Sequence, residues 1–450
     1  MATRQWIGNA AAIAQVSTIT IANTWATDDK ATIGVNGKEL VVTVGANTST
    51  DQVATSIKQA FENETLDDTT GDVVPERGKF DIAELSDITA TVSGSVVTLE
   101  ASTAGNPFTV TANSTTAGNG TATLATTTAA TGPNHFDNGD NWFTVGGAVG
   151  TPPTTTDTLI FDSGSRDCKY GLSTGIASLT ISVKKGYTGG IGLPQICLDN
   201  FQQPYQEYRT RHLTTTTNMS VDIGGSTGQM GPRVYLSAPT ITQCYIYDTG
   251  FSTNPSEEVV QLVAGTALNV NAVVSGSVAL GKLDADNSNL SVLQMLSGGE
   301  RSPEVLIGAG CQLPSATITI NAGILKVSPD VHDTFGVVDM TIDNDAVVDM
   351  EGGILGVVTL SGEARLNYRS PKAQAGSDQV TIRDRATLDF SDNRTHSTIG
   401  VNTIERYSDL CWVIDPRKIV TSLVIDQNHC SDTTRLVVGA NCKLTRAAVS

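Results

Sequence analysis

Residues 340–350 (MTIDNDAVVDM), 358–368 (VTLSGEARLNY) and 380–390 (VTIRDRATLDF) align without a gap. In all three, apolar and polar residues alternate with period two, the signature of a half-buried strand. Ile342, Leu360 and Ile382 share one position; Val348, Leu366 and Leu388 share a second; Met350, Tyr368 and Phe390 share a third. Alanine recurs at 346, 364 and 386, where a corner close to a core needs a small side chain. Looser copies occur at 319–327 (TINAGILKV), 305–313 (VLIGAGCQL) and 436–444 (LVVGANCKL). From Ile320 the steps to Ile342, Leu360 and Ile382 are 22, 18 and 22 residues.

That spacing suits one coil of a parallel β-helix, in which each coil pairs with those above and below at about 4.8 Å. The shared apolar positions then point inward and stack. Lys326, Asp349, Asn367 and Asp389 form a column pointing outward. A β-sandwich also alternates, but it does not so naturally repeat the same eleven-residue pattern at a steady offset.

Working outward, the region from 132 onward holds no convincing long helix, only short β runs broken by Gly, Asn and Asp. Residues 132–165 (GPNHFDNGDNWFTVGGAVGTPPTTTDTLIFDSGS) resemble the opening coil of β-helical surface proteins, which implies a cap over one end of the stack. The first 127 residues read as a small α+β domain in the order strand, hairpin, helix, hairpin, strand. Its hairpin signals are Asn36-Gly37 and Ser93-Gly94. Its helix follows the N-capping run Thr48-Ser49-Thr50 and carries Val53, Ile57, Ala60 and Phe61 on one face. An acidic loop spans about 62–79. Residues 113–131, all Thr, Ser, Ala, Gly, Asn or Leu, read as a linker or low-complexity edge segment. The expected organisation is therefore an α+β domain at 1–127, linker and cap at 128–165, and a parallel β-helix at 166–450.

Composition agrees. Charged residues are 16 % against 39 % hydrophobic, so Thr, Ser, Asn and Gly must cover much of the surface, and β-branched Thr favours extended backbone. The formal charge of −18 repels nucleic acid and argues against it as a partner. Seven scattered cysteines without C-x-x-C spacing read as reduced, mostly buried small hydrophobes. The opening MATRQW and the short apolar run at 10–16 resemble neither a secretory signal nor a membrane span. A cytoplasmic origin is expected; the protein then stays there, or leaves inside a particle by cell lysis.

Candidate chemistry is sparse. Two Gly-x-Ser-x-Gly matches, around Ser173 and Ser226, lack the strand-to-helix context of a nucleophile elbow. His135, His212, His332, His396 and His429 show no metal-binding spacing, and adjacent His429 and Cys430 should face opposite sides of a strand. Asp284, Asp286 and Ser288 open like a calcium loop, but Met295 stands where its closing Glu belongs. The best enzymatic candidate is Asp349 with Asp389, two coils apart at roughly 10 Å, a separation at which an inverting glycosidase places its acid and base. With aromatics at only 5 %, a sugar groove is not expected. The reading is no catalytic residue, no cofactor and no metal.

Two stretches carry a resemblance. The pattern TITIANTWATDDKATIGVNGKELVVTVG at 18–45, a helix, then ITATVSGSVVTLEASTAGNPFTV at 88–110, resembles a small domain common in phage structural proteins. The segment with Asn141-Trp142, Pro152-Pro153 and Asp157 to Phe161 resembles the opening coil of β-helical surface proteins. Together they look like phage virion surface proteins with a parallel β-helix: spikes, fibres and capsid decoration proteins. The resemblance implies a virion component, commonly a homotrimer, whose partners are other capsid or tail proteins. A host-surface glycan is a further candidate partner; membrane and nucleic acid are not. Depolymerase spikes and bacterial adhesins are the alternatives. Trp6 and Ile7, beside a short apolar run, are expected to anchor the chain to a neighbour's pocket.

Overall fold

In the computed structural model the three aligned segments lie on successive coils. The register places Ile320 beside Ile342, Ile342 beside Leu360 and Leu360 beside Ile382, all in parallel strands. Val348, Leu366 and Leu388 stack in the same way, as do Met350 and Tyr368. All these side chains are buried. The structure describes residues 1–64, 82–117, 119–198, 202–224, 233–249, 259–283, 286–299, 301–313, 316–329, 337–370, 379–392, 403–418, 420, 422–440 and 442–448.

The chain is mainly β, with a parallel β-solenoid of about 10 turns and a small N-terminal sheet domain. In the C-terminal half each coil contributes two strands. One column runs through Thr317–Ile320, Val337–Ile342, Ile354–Leu360, Gln379–Ile382 and Thr403–Arg406. The second runs through Glu304–Ile307, Ile324–Val327, Val347–Met350, Arg365–Tyr368, Thr387–Asp389 and Trp412–Ile414. One continuous apolar core fills the space between them.

The corner between the columns explains the repeated alanine. Asn344, Gly362 and Asp384 occupy the same repeat position, with φ of 56°, 67° and 54°. Left-handed backbone of this kind is best tolerated by Gly, Asn and Asp. Glycine is further required at 362, because a Cβ there would lie 2.8 Å from the backbone of Asn344. Two residues on, the amides of Ala346, Ala364 and Ala386 close the turns on Asp343, Ser361 and Arg383 at 3.2, 3.2 and 3.1 Å. All three alanines are fully buried. Ala364→Leu is therefore expected to cost about 1–3 kcal/mol through overpacking. Chemical denaturation checks this, and an unchanged midpoint would refute the corner constraint.

Two of the looser repeat copies belong to the other column. The strand Glu304–Ile307 pairs with Ile324–Val327, and Leu436–Val437 pairs with the second-column strand Trp412–Ile414. Both therefore start in the second column, not the first as the alignment had them. Both columns bury alternate side chains and end in tight turns, so a short period-two pattern cannot distinguish them.

The N-terminal boundary also differs from the sequence reading. The strand Thr3–Trp6 pairs in parallel with Thr158–Phe161 and antiparallel with Trp142–Thr144. Residues 3–6 are thus part of the solenoid, and the small domain is inserted into its first coil. Its two connections meet at an antiparallel bridge between Ile13 and Thr131. At their base, fully buried Asn141 accepts from the amide of Ala10 at 2.8 Å and donates to the carbonyls of Gly132 at 2.8 Å and His135 at 2.7 Å. Of the two readings of 113–131, the edge segment is the one found for most of it; only 129–131 serve as a connection. The segment completes the strand Val110–Thr115 and forms Thr121–Thr128, the edge of a sheet beside Val16–Ala22. Thr and Ala give little hydropathy contrast, yet Thr supports an edge strand well.

Inside this domain the expected elements are present. The helix Thr50–Phe61 begins with a capping box between Ser49 and Gln52, and Val53, Ile57, Ala60 and Phe61 are buried. The hairpins Lys30–Val35/Lys38–Thr43 and Ile88–Ser93/Val96–Ala101 form around the marked turns. Most of the acidic loop at 62–79 lies outside the described residues.

Candidate functional site

The outward column of the second sheet carries the residues with the strongest prior claim to chemistry. Lys326, Asp349, Asn367 and Asp389 lie side by side on successive coils, as their repeat positions require. They do not form a free acid pair. Asn367 Nδ2 donates to Asp349 Oδ1 at 2.7 Å. Arg365 Nε donates to Asn367 Oδ1 at 2.7 Å, and its Nη2 reaches Asp389 Oδ2 at 2.5 Å. The amide of Ser391 donates to Asp389 Oδ1 at 2.8 Å. Arg369 approaches Asp349 at 4.0 Å, Glu351 at 3.7 Å and Asp392 at 3.3 Å.

This geometry suits cross-coil bracing better than proton transfer. A general acid or base must reach the substrate atom directly or through one water. Both oxygens of Asp389 already have protein partners, and its side chain is only 8 % exposed. Sequence reasoning missed Arg365 and Arg369. The signal for Arg365 was present: it stands two residues before Asn367, on the same strand face, and one coil from Asp389.

The first coil is a second dense site, and it changes the role of Trp6. The Trp6 ring lies 5.0 Å from Trp142 and 5.9 Å from Phe161, while Trp142 lies 5.3 Å from Phe136 and 5.7 Å from Phe161. Trp6 Nε1 donates to the carbonyl of Arg166 at 3.0 Å, and Trp142 Nε1 to that of Phe136 at 2.7 Å. Trp6 is 2 % exposed, so it closes its own solenoid and is not a free anchor for a neighbour; Ile7 is half-buried beside it. The apolar neighbours of Trp6 in sequence did not reveal that a strand 150 residues later would cover it. The strand Trp142–Thr144 pairs with Thr3–Trp6 in the first coil, which is where the cap was expected.

An ion pair completes the cap. Asp157 accepts from Arg4 Nε at 2.6 Å, from the amide of Ala2 at 2.8 Å, and from the amide and hydroxyl of Thr154 at 3.0 Å each. Burial alone would raise its carboxyl, but the hydrogen bonds from Arg4, Ala2 and Thr154 outweigh this and pull it down to about 2.

The remaining candidates are structural. Ser173 is exposed and forms a parallel bridge with Thr214; the strand Ser178–Val183 follows it, with no helix of the kind a nucleophile elbow requires. Asp286 caps a turn by accepting the Leu283 amide at 2.8 Å, and Ser288 accepts from the Ala264 amide at 3.1 Å. His429 faces outward and pairs with Asp426, whereas Cys430 is buried. All seven cysteines are free and five are buried. Ser226, Asp284, His332 and His396 lie outside the described residues. Among the described residues no group of three or more His, Cys, Asp or Glu is placed to hold a metal, and no helix is long and apolar enough to cross a membrane. No protein-family model matches the chain, and no curated protein matches its sequence.

Proposed function

We propose that this protein is a structural component of a bacteriophage particle, a capsid decoration protein or short surface spike that acts by binding and stabilisation. The observation that carries the non-catalytic part is the occupied Asp349–Asn367–Arg365–Asp389 ladder. The acid pair offered by the repeat, Asp349 with Asp389, is spent on holding coils together. The virion setting rests on the resemblance of residues 18–45 and 88–110 to a small domain of phage structural proteins, combined with that of residues 132–165 to the opening coil of β-helical surface proteins. A solenoid braced by side-chain ladders supports this reading, since it presents long polar faces and resists deformation. On this reading the protein assembles as a homotrimer with other capsid or tail proteins, is made in the host cytoplasm, and uses neither cofactor nor nucleic acid.

Two measurements test the proposal. Purified protein incubated with host envelope polysaccharide is expected to release no oligosaccharide. Release that disappears in Asp349→Asn or Asp389→Asn would replace this reading with a tailspike-type depolymerase. Imaging of intact particles bearing labelled protein is expected to show ordered copies on the surface. Their absence from particles would favour a bacterial surface adhesin and overturn the virion setting.

A further inference from the structure

The inserted domain leaves the solenoid through two connections that meet at a single bridge, Ile13 to Thr131. A joint that narrow leaves relative motion as the default. The solenoid, however, also grips the domain from the side. Nε2 of His135 donates to the carbonyl of Gly105 at 2.8 Å. The Tyr170 hydroxyl donates to Asn106 Oδ1 at 3.0 Å, and that of Tyr208 to the carbonyl of Pro107 at 3.3 Å. Three consecutive residues of one loop are thus held by three solenoid side chains.

Behind these contacts sits a buried charge pair. Arg209 donates through Nε to Glu207 Oε1 at 2.7 Å and through Nη2 to Oε2 at 2.8 Å. Its guanidinium lies over the rings of both Tyr170 and Tyr208, at 5.1 and 4.9 Å, and its Nη1 reaches the Pro107 carbonyl at 3.5 Å. The Glu207 side chain is fully buried and that of Arg209 only 13 % exposed. A buried pair of this kind does little for net stability compared with apolar packing, but it can fix one arrangement over others. Here it fixes the two tyrosines that hold the inserted domain.

We propose that Glu207, Arg209, Tyr170 and Tyr208 form a clamp that locks the inserted domain in one orientation on the solenoid. The two parts then move as one body, and force applied to the domain passes directly into the solenoid. The clamp does not depend on the functional proposal above.

Limited proteolysis of the full chain tests it. Elastase cuts after small residues, and both connections contain them: Ala10, Ala11 and Ala12 on one side, Ala129 and Ala130 on the other. Cleavage of a folded protein follows the population of the open state. Fragments are located by mass spectrometry. Arg209→Ala is expected to speed cleavage in the connections on the order of tenfold, with other sites unchanged. The double variant Glu207→Gln/Arg209→Met removes both charges while keeping volume, which guards against misfolding around an orphaned carboxylate. Tyr170→Phe, which deletes one hydroxyl, should give a smaller increase in the same place. Unchanged cleavage at the connections in all three variants would overturn the clamp. So would an equal rise at every site, since that marks general destabilisation and not release of the domain.

Discussion

Trp142→Ala is expected to cost about 3–5 kcal/mol, the range for deleting a large buried aromatic side chain. Trp142 is fully buried and packs its ring against Trp6, Phe136 and Phe161. Its loss leaves a cavity at the end of the stack and leaves the Phe136 carbonyl without the indole donor it has at 2.7 Å. Solenoids are stabilised by nearest-neighbour contacts, so damage should be local first. Hydrogen exchange should rise most in the first-coil strands Thr3–Trp6 and Thr158–Phe161, with the strands of the three aligned segments near 340–390 least affected. Equal protection at both places in the variant would show that the aromatic cluster does not close the end.

Asp157→Ala should have an effect of similar size, about 3–5 kcal/mol, because it strands the buried Arg4 guanidinium without its counter-charge. Arg4 retains Thr144 Oγ1 and the Thr151 carbonyl, both at 3.0 Å, but neither carries charge. The same pair gives a pH signature with a definite sign. The Asp157 carboxyl is lowered from 3.8 to about 2 in the folded chain. Its contribution is therefore fully present above about pH 3.8 and is lost as the pH falls through about 2. Wild-type stability should show this acid-side loss, and Asp157→Asn should show a smaller one. Parallel curves for the two proteins over that window would remove Asp157 as the source.

Much of the fold was legible because a β-solenoid writes its geometry into sequence. Inward positions are apolar at most coils, so Ile342, Leu360 and Ile382 share one place in the repeat and are register partners. The corner also left its mark, in the recurring alanines. The candidate site was less legible. The Asp349–Asp389 column followed from the repeat, but whether the carboxylates were free depended on where long arginine side chains lie. A rotamer choice of that kind is set by the neighbours present in three dimensions.

Local pattern by itself determined the solenoid and the elements of the small domain, because strand alternation, turn residues and helix caps act over a few residues. Tertiary structure alone decided the rest. It took Trp6 from the chain's first strand into the solenoid core, since pairing with Thr158–Phe161 is a long-range contact that no local signal encodes. It also placed Arg406 in the inward column directly after Ile382, where sequence alternation calls for an apolar side chain. That cation is fully buried and is held by the carbonyl of Asp409 at 2.9 Å and, at 3.7 Å, by that residue's carboxylate. A charge can occupy a core position only where polar or opposite-charged groups converge on it, and that convergence belongs to the assembled coils.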